Sequence, residues 1–205
     1  QDVDALQEKL KDSPFDIIGP AADLEMLPQI RAMQVRGLGD EVFYLTMFKV
    51  DIPEFDLPDA HAPVDRMFIA VLATNGPEKV QGWFDKHWGI APGEIADTKL
   101  AIIDDAFGVP QRTLDLQLTV TTMRSRSLVE IDGYPPQATE RPRHEGHLPP
   151  GNAMMSVLVD TLDGLSLSTI TAPIRRPEAP YFGRRAATTL GAMGELIELV
   201  ERDPS

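Results

Sequence analysis

Two residue patterns in this chain are open to chemistry: the imidazole pair of His144-Glu145-Gly146-His147, and the polar row Asp115, Gln117, Thr119 and Thr121. Histidines so close can share a metal only where the backbone aims both rings at one point. This pair lies in PPQATERPRHEGHLPPG, residues 135–151, between prolines, and reads as a solvated loop. His61, in another proline-rich stretch, reads the same way. His87 follows Trp83 and Phe84 on one helical face and reads as a boundary residue beside them. The polar row carries more information. In TLDLQLTVT, residues 113–121, Leu114, Leu116, Leu118 and Val120 point one way, and the polar residues point the other. The expectation is that the apolar face packs on helices. The polar face is then either an ordinary wet surface or the lining of a concave pocket, with Asp115, Gln117 and Thr119 touching a ligand.

Other chemistries are excluded by what is missing. The 205 residues contain no cysteine, so disulfides, thiolate nucleophiles and zinc–thiolate sites are ruled out. There is no glycine-rich phosphate loop and no G-x-S-x-G elbow. A net charge of -13 repels nucleic acid and anionic membranes, so both are poor partners. The longest apolar runs fall well short of the about 20 residues that cross a bilayer. No basic and apolar leader pattern opens the chain, and a cytoplasmic setting is the expectation.

The elements that must position these residues follow from periodicity. Residues 2–11 carry Val3, Leu6 and Leu10 at helical spacing, and Ser13-Pro14 ends the run. Phe15 to Ile18 reads as a short strand, and 21–29 as a loop. Residues 51–65, DIPEFDLPDAHAPVD, form an acidic, proline-rich linker and a domain boundary. Residues 66–73 read as a buried strand, and Asn75-Gly76-Pro77-Glu78 starts a helix. Strands are expected at 127–132, 153–159, 167–171, 184–190 and 194–201, with a short turn or helix at Leu162-Asp163-Gly164-Leu165. Sequential strands with one short helix per unit predict an α+β fold.

One cassette occurs twice, 154 residues apart: Arg31-Ala32, Gly37, Glu41 and Leu45 answer Arg185-Ala186, Gly191, Glu195 and Leu199. Each copy reads as strand, glycine turn, strand, so the fold is built from duplicated units.

With these repeats, the chain resembles the vicinal oxygen chelate superfamily, which includes glyoxalases, bleomycin-resistance proteins and extradiol dioxygenases. The resemblance implies paired βαβββ modules curled into a cup around a small-molecule site. Residues 66–134 and 152–201 would be two such modules, together a C-terminal domain spanning 66–201. Residues 1–50 would be the back part of another module, whose first strand would precede Gln1. The exposed sheet edges of such modules commonly pair within or between chains, which would allow a homodimer.

The resemblance also places site residues. The first-strand metal ligand of the family falls on Arg66 in Asp65-Arg66-Met67-Phe68-Ile69-Ala70-Val71, and on Ala153 in the last module. The last-strand carboxylate falls on Glu198 in Gly194-Glu195-Leu196-Ile197-Glu198, on Glu130 in Val129-Glu130-Ile131, and is replaced by Tyr44 in the first unit. Both histidine positions are lost. What remains would hold at most one divalent metal ion, through Glu198 and Glu130 with waters. Alternatively Arg66 lies between the two carboxylates, either as a structural ion-pair network or in a metal-free site where Arg66 binds an oxyanion and one Glu is a base. The implied function is a glyoxalase- or dioxygenase-like protein acting on a small carbonyl or phenolic compound by lyase or isomerase chemistry. The alternative is a binding protein without turnover.

Overall fold

The computed structural model describes residues 2–25, 27–52, 61–65, 67–124 and 127–202. The architecture is α+β, with three separate open sheets. The first unit is a helix, α1 (Val3–Leu10), followed by an antiparallel sheet of β1 (Asp16–Asp23), β2 (Ile30–Arg36) and β3 (Val42–Phe48). Asp2 caps α1 by accepting the Asp4 and Ala5 N–H groups, each at 3.0 Å. Val3, Met33 and Val35 form the buried centre between this helix and the sheet.

The second unit runs β4 (Ile69–Thr74), α2 (Pro77–Trp88), β5 (Ala96–Thr98), α3 (Ala101–Ala106), β6 (Leu116–Thr122) and β7 (Leu128–Gly133), in sheet order β4-β7-β6-β5. The first and last strands pair in parallel, so α2 is their crossover. Pro77 opens α2, and Gly89, at φ 65°, closes it in the left-handed conformation. Val80 and Phe84 of α2 pack on Val129 and Ile131 of β7.

The third unit repeats this order: β8 (Met154–Val159), β9 (Ile174–Arg175), β10 (Arg185–Leu190) and β11 (Leu196–Glu201), with β8 parallel to β11. No helix follows β8, because Leu162 to Leu165 form only a turn. The expected strand at 167–171 is reduced to one bridge, Thr169 to Thr189. Trp83 and Trp88 of α2 also pack on Leu162, Ala187, Ile197 and Leu199, so one helix serves the cores of both units.

The duplicated cassette is duplicated in atomic detail. Gly37 N–H donates to Glu41 O at 2.8 Å, and Gly191 N–H to Glu195 O at 2.9 Å. Each glutamate folds back under its own turn, accepting from Gly39 N–H at 2.9 Å and Met193 N–H at 2.8 Å. A Cβ on either first glycine would stand 2.0 Å from the glutamate Oε1, so the turn and its glutamate are a matched pair. Arg31 grips Asp4 at 2.7 Å, and Arg185 grips Asp163 at 2.9 Å. The turn at 162–165 thus does for the third unit what α1 does for the first.

Two expectations are corrected. β1 runs through Gly19-Pro20 to Asp23, where a loop was expected. It is an edge strand with two register shifts, a position that tolerates a missing N–H. On β6 the apolar row packs on a helix only at its start, where Leu114 and Leu116 meet α3. Thr119 and Thr121 are 2% and 6% exposed and share the α2 side with Val129 and Ile131, whereas Val120 is 43% exposed. The Thr119 hydroxyl accepts from Gln81 Nε2 at 3.0 Å, which removes the penalty of burying it.

Candidate functional site

Strand alternation on β7 places Val129 and Ile131 against α2, and Glu130 and Asp132 on the opposite, concave face. Glu130 lies between Val71 of β4 and Val120 of β6, and Asp132 lies between Ala73 and Leu118. Three contacts bring the sheet of the first unit over this face. Phe48 of β3 meets Phe68 edge-on at 5.9 Å between ring centroids. Arg112 reaches Glu25 at 2.7 Å. Tyr44 of β3 comes close enough to Tyr134, Asp132 and Glu130 for their charges to act on its hydroxyl. A cup results, with Tyr44 entering from one sheet and the two acids from the other. One end is closed by the α3 segment, where Ile103, Leu114 and Leu116 pack on Tyr134. The buried Asp104 carboxylate shapes that segment by accepting from Arg112 N–H at 2.7 Å and Leu114 N–H at 2.8 Å.

The electrostatics of the cup are dominated by the two acids. Asp132 is 3% exposed, and burial followed by the charge of Glu130 raises its carboxyl to about 7. Burial also raises Glu130, against the hydrogen bond from Asp132, which lowers it. Burial and the charge of Glu130 both favour the protonated form of Asp132, with its hydrogen bond directed toward Glu130. Burial and the two carboxylates push the Tyr134 phenol above its ordinary value. Tyr44 is driven the same way, by burial first, then by Tyr134 and the acids. Both phenols are thus kept protonated, as hydrogen-bond donors. This arrangement can take a proton from a ligand at Glu130 and donate to a developing oxyanion from a tyrosine.

Of the residues singled out from sequence, Glu130 and Tyr44 are brought together here. Glu198 is not with them. It lies on β11, where its carboxylate accepts from Ser156 Oγ at 2.7 Å and Tyr181 OH at 2.6 Å. The shared α2 packs on the helix-side faces of both sheets, which separates the two carboxylates that one cup was expected to hold. Arg66 lies outside the described residues. Thr119 is beneath α2, as above. Asp115 and Gln117 line a different, shallow cleft of about 340 Å³ with Asn75, Pro77 and Asp97, and Asp115 is engaged by Lys99 at 2.5 Å. Asp132 and Tyr134 were missed. The period-two spacing of Glu130, Asp132 and Tyr134 was the available signal.

The donor set does not fit a resident metal ion. Among the described residues no three His, Asp or Glu side chains converge as metal ligands. Glu130 has one acidic neighbour that holds a proton, and Glu198 is engaged by two hydroxyls. His144 and His147 stand exposed in their loop. His87 Nδ1 is buried without a partner beside Trp83, 4.8 Å away between ring centroids, and burial lowers the pKa of its ring.

No family model matches the sequence, and no curated protein matches it. Solved structures do match. Glyoxalase I from Zea mays superposes with a TM-score of 0.58 at 12% identity, covering 98% of this chain and 64% of that one. A mutant form of the same maize enzyme gives a TM-score of 0.59 at 12% identity, covering 98% and 65%. A glyoxalase family protein from Bacillus cereus gives 0.52 at 14% identity, covering 70% of this chain and 98% of that one. The chain thus spans just under two thirds of the length of the maize enzyme. It shares the fold of these glyoxalase structures, and one fold can carry different chemistries.

Proposed function

We propose that the chain acts on a small carbonyl or phenolic compound by lyase- or isomerase-type proton transfer in the cup, without a resident metal ion. The observation that carries this is the Glu130–Asp132 pair facing Tyr44 and Tyr134. Glu130 would be the base. Asp132 would hold the proton that fixes Glu130's orientation and charge. A tyrosine hydroxyl would donate to the oxygen on which charge develops. Sequestration of the same ligand without turnover is the second reading, favoured by the loss of imidazole at both first-strand positions. A cytoplasmic setting and a homodimer complete the proposal, along with indifference to nucleic acid and membranes. No described helix is long and apolar enough to cross a membrane.

Metal analysis of the purified protein, with binding and turnover of a panel of small carbonyl and phenolic compounds, tests the proposal. Substoichiometric metal and ligand-induced stabilisation that vanishes in Glu130→Gln are expected. Stoichiometric iron, zinc, nickel or manganese would overturn the metal-free reading. Binding indifferent to Glu130→Gln would move the site elsewhere.

A further inference from the structure

We propose that the cup binds a small ring compound carrying a protonated amine, with the ammonium on Glu130 and the ring against Tyr44 and Tyr134. This rests on the same cup being the working site, and it adds the charge of the ligand.

Charge balance is the first reason. The two acids lie side by side in the cup, and the hydrogen bond from Asp132 favours an ionised Glu130. The influences on the two carboxyls are burial and each other; no described lysine or arginine is among them. Four described basic side chains of the surrounding elements are engaged elsewhere: Arg36 with Asp16 at 2.8 Å, Lys49 with Asp23 at 2.6 Å, Lys99 with Asp115 at 2.5 Å, and Arg112 with Glu25 at 2.7 Å. A half-buried anion without a counter-ion attracts a cation more strongly than a solvated one does.

The cup wall is the second reason. Tyr44 and Tyr134 flank the two acids, and a tyrosine ring can hold an ammonium on its face where it would not hold a carboxylate or phosphate. Beside them Val71 and Val120 remain 42% and 43% exposed, an apolar floor for a ring. Asp132, 3% exposed, also has a carboxylate oxygen, Oδ1, with no hydrogen-bond partner. That leaves a buried acceptor beside Glu130 unsatisfied. An anionic ligand of the same shape would meet two acids and, among the described residues, no cation.

Calorimetric titration with benzylammonium, and with benzyl alcohol and benzoate as neutral and anionic shape-mates, tests this on wild type, Glu130→Gln and Asp132→Asn. Both substitutions nearly keep shape. Benzylammonium should bind wild type about tenfold or more tighter than benzyl alcohol, with benzoate weakest. In Glu130→Gln that preference should fall to within about threefold. Equal binding of benzylammonium and benzyl alcohol to wild type would overturn the proposal. A preference that survives Glu130→Gln would also overturn it, by assigning the attraction to the acidic surface at large. If the ammonium preference is absent but Glu130→Gln still abolishes binding or turnover of the carbonyl and phenolic panel, only the ligand class fails.

Discussion

Asp132 stands two residues beyond Glu130 on the concave face of β7 and shares a hydrogen bond with it. The two acids are neighbours because a strand repeats its facing every second residue. They hold a proton between them because the cup is half closed by Tyr44 of the opposite sheet and by the α3 segment around Tyr134.

The pair makes stability depend on pH in a stated direction. Asp132 rises to about 7 in the folded state, from about 3.9 in an unfolded chain. Its folded form takes up a proton that the unfolded form has lost. The contribution is therefore fully present below pH ~4 and is lost as pH rises through about 7. The ceiling is on the order of 4 kcal/mol, with Glu130 sharing in it. Urea unfolding of wild type and Asp132→Asn at pH 5 and pH 8 should show the variant gaining relative stability at the higher pH. A difference that does not change with pH would contradict the shared proton.

Glu198 is expected to act apart from this pair. It is 9% exposed and accepts from Tyr181 and Ser156 hydroxyls. Tyr181→Phe should lower stability by about 1–3 kcal/mol, the range for a lost hydrogen bond to a buried charge. Thermal melts would measure that loss. Titration of any cup ligand should give the same affinity in Tyr181→Phe as in wild type, because the hydroxyl comes from the turn between β9 and β10 and meets Glu198 on another sheet.

The duplicated turn supports a double-mutant cycle. Gly37→Ala and Gly191→Ala should each cost about 1 kcal/mol, because the new methyl meets a glutamate folded beneath the turn. Combining them with Glu41→Ala and Glu195→Ala, respectively, should be less than additive, since the clash leaves with the glutamate. Chemical denaturation of the four single and two double variants would show it. Additive losses would mean that the two turns do not work as matched pairs.

Arg185 anchors the third unit. Its guanidinium takes Glu201 at 2.6 Å and Asp163 at 2.9 Å, and holds the Glu201 carboxyl down at about 2. Arg185→Lys should melt below wild type, because an ammonium cannot fork to two carboxylates. With the folded Glu201 value depressed, the contribution is present above its unfolded value and is lost as pH falls toward 2. Melts from pH 7 down to pH 3 should therefore converge for wild type and variant.

The repeat was legible in sequence because it is local: a glycine turn and the glutamate beneath it need only fixed spacing. It set Tyr44 against Glu198, whereas Glu130 came from the family resemblance. Other features depend on neighbours that spacing does not reveal. β1 keeps Gly19-Pro20 because it is an edge strand, and edge position belongs to the sheet rather than the segment. Thr119 faces inward because Gln81, 38 residues away, satisfies its hydroxyl. Which sheets would face each other was equally hidden. The shared helix α2 puts the Glu130 and Glu198 sheets on separate sides, and Tyr44 takes the place opposite Glu130.

The central claim is a proton held by a carboxyl pair in the cup. Carbon NMR of protein labelled at the aspartate carboxyl carbons, titrated from pH 4 to pH 9, reads it directly, with Asp132→Asn identifying the resonance. The structure predicts one aspartate titrating near 7, absent from the variant. If every aspartate, Asp132 included, finishes titrating below about pH 5, as unperturbed carboxyls do, the claim fails.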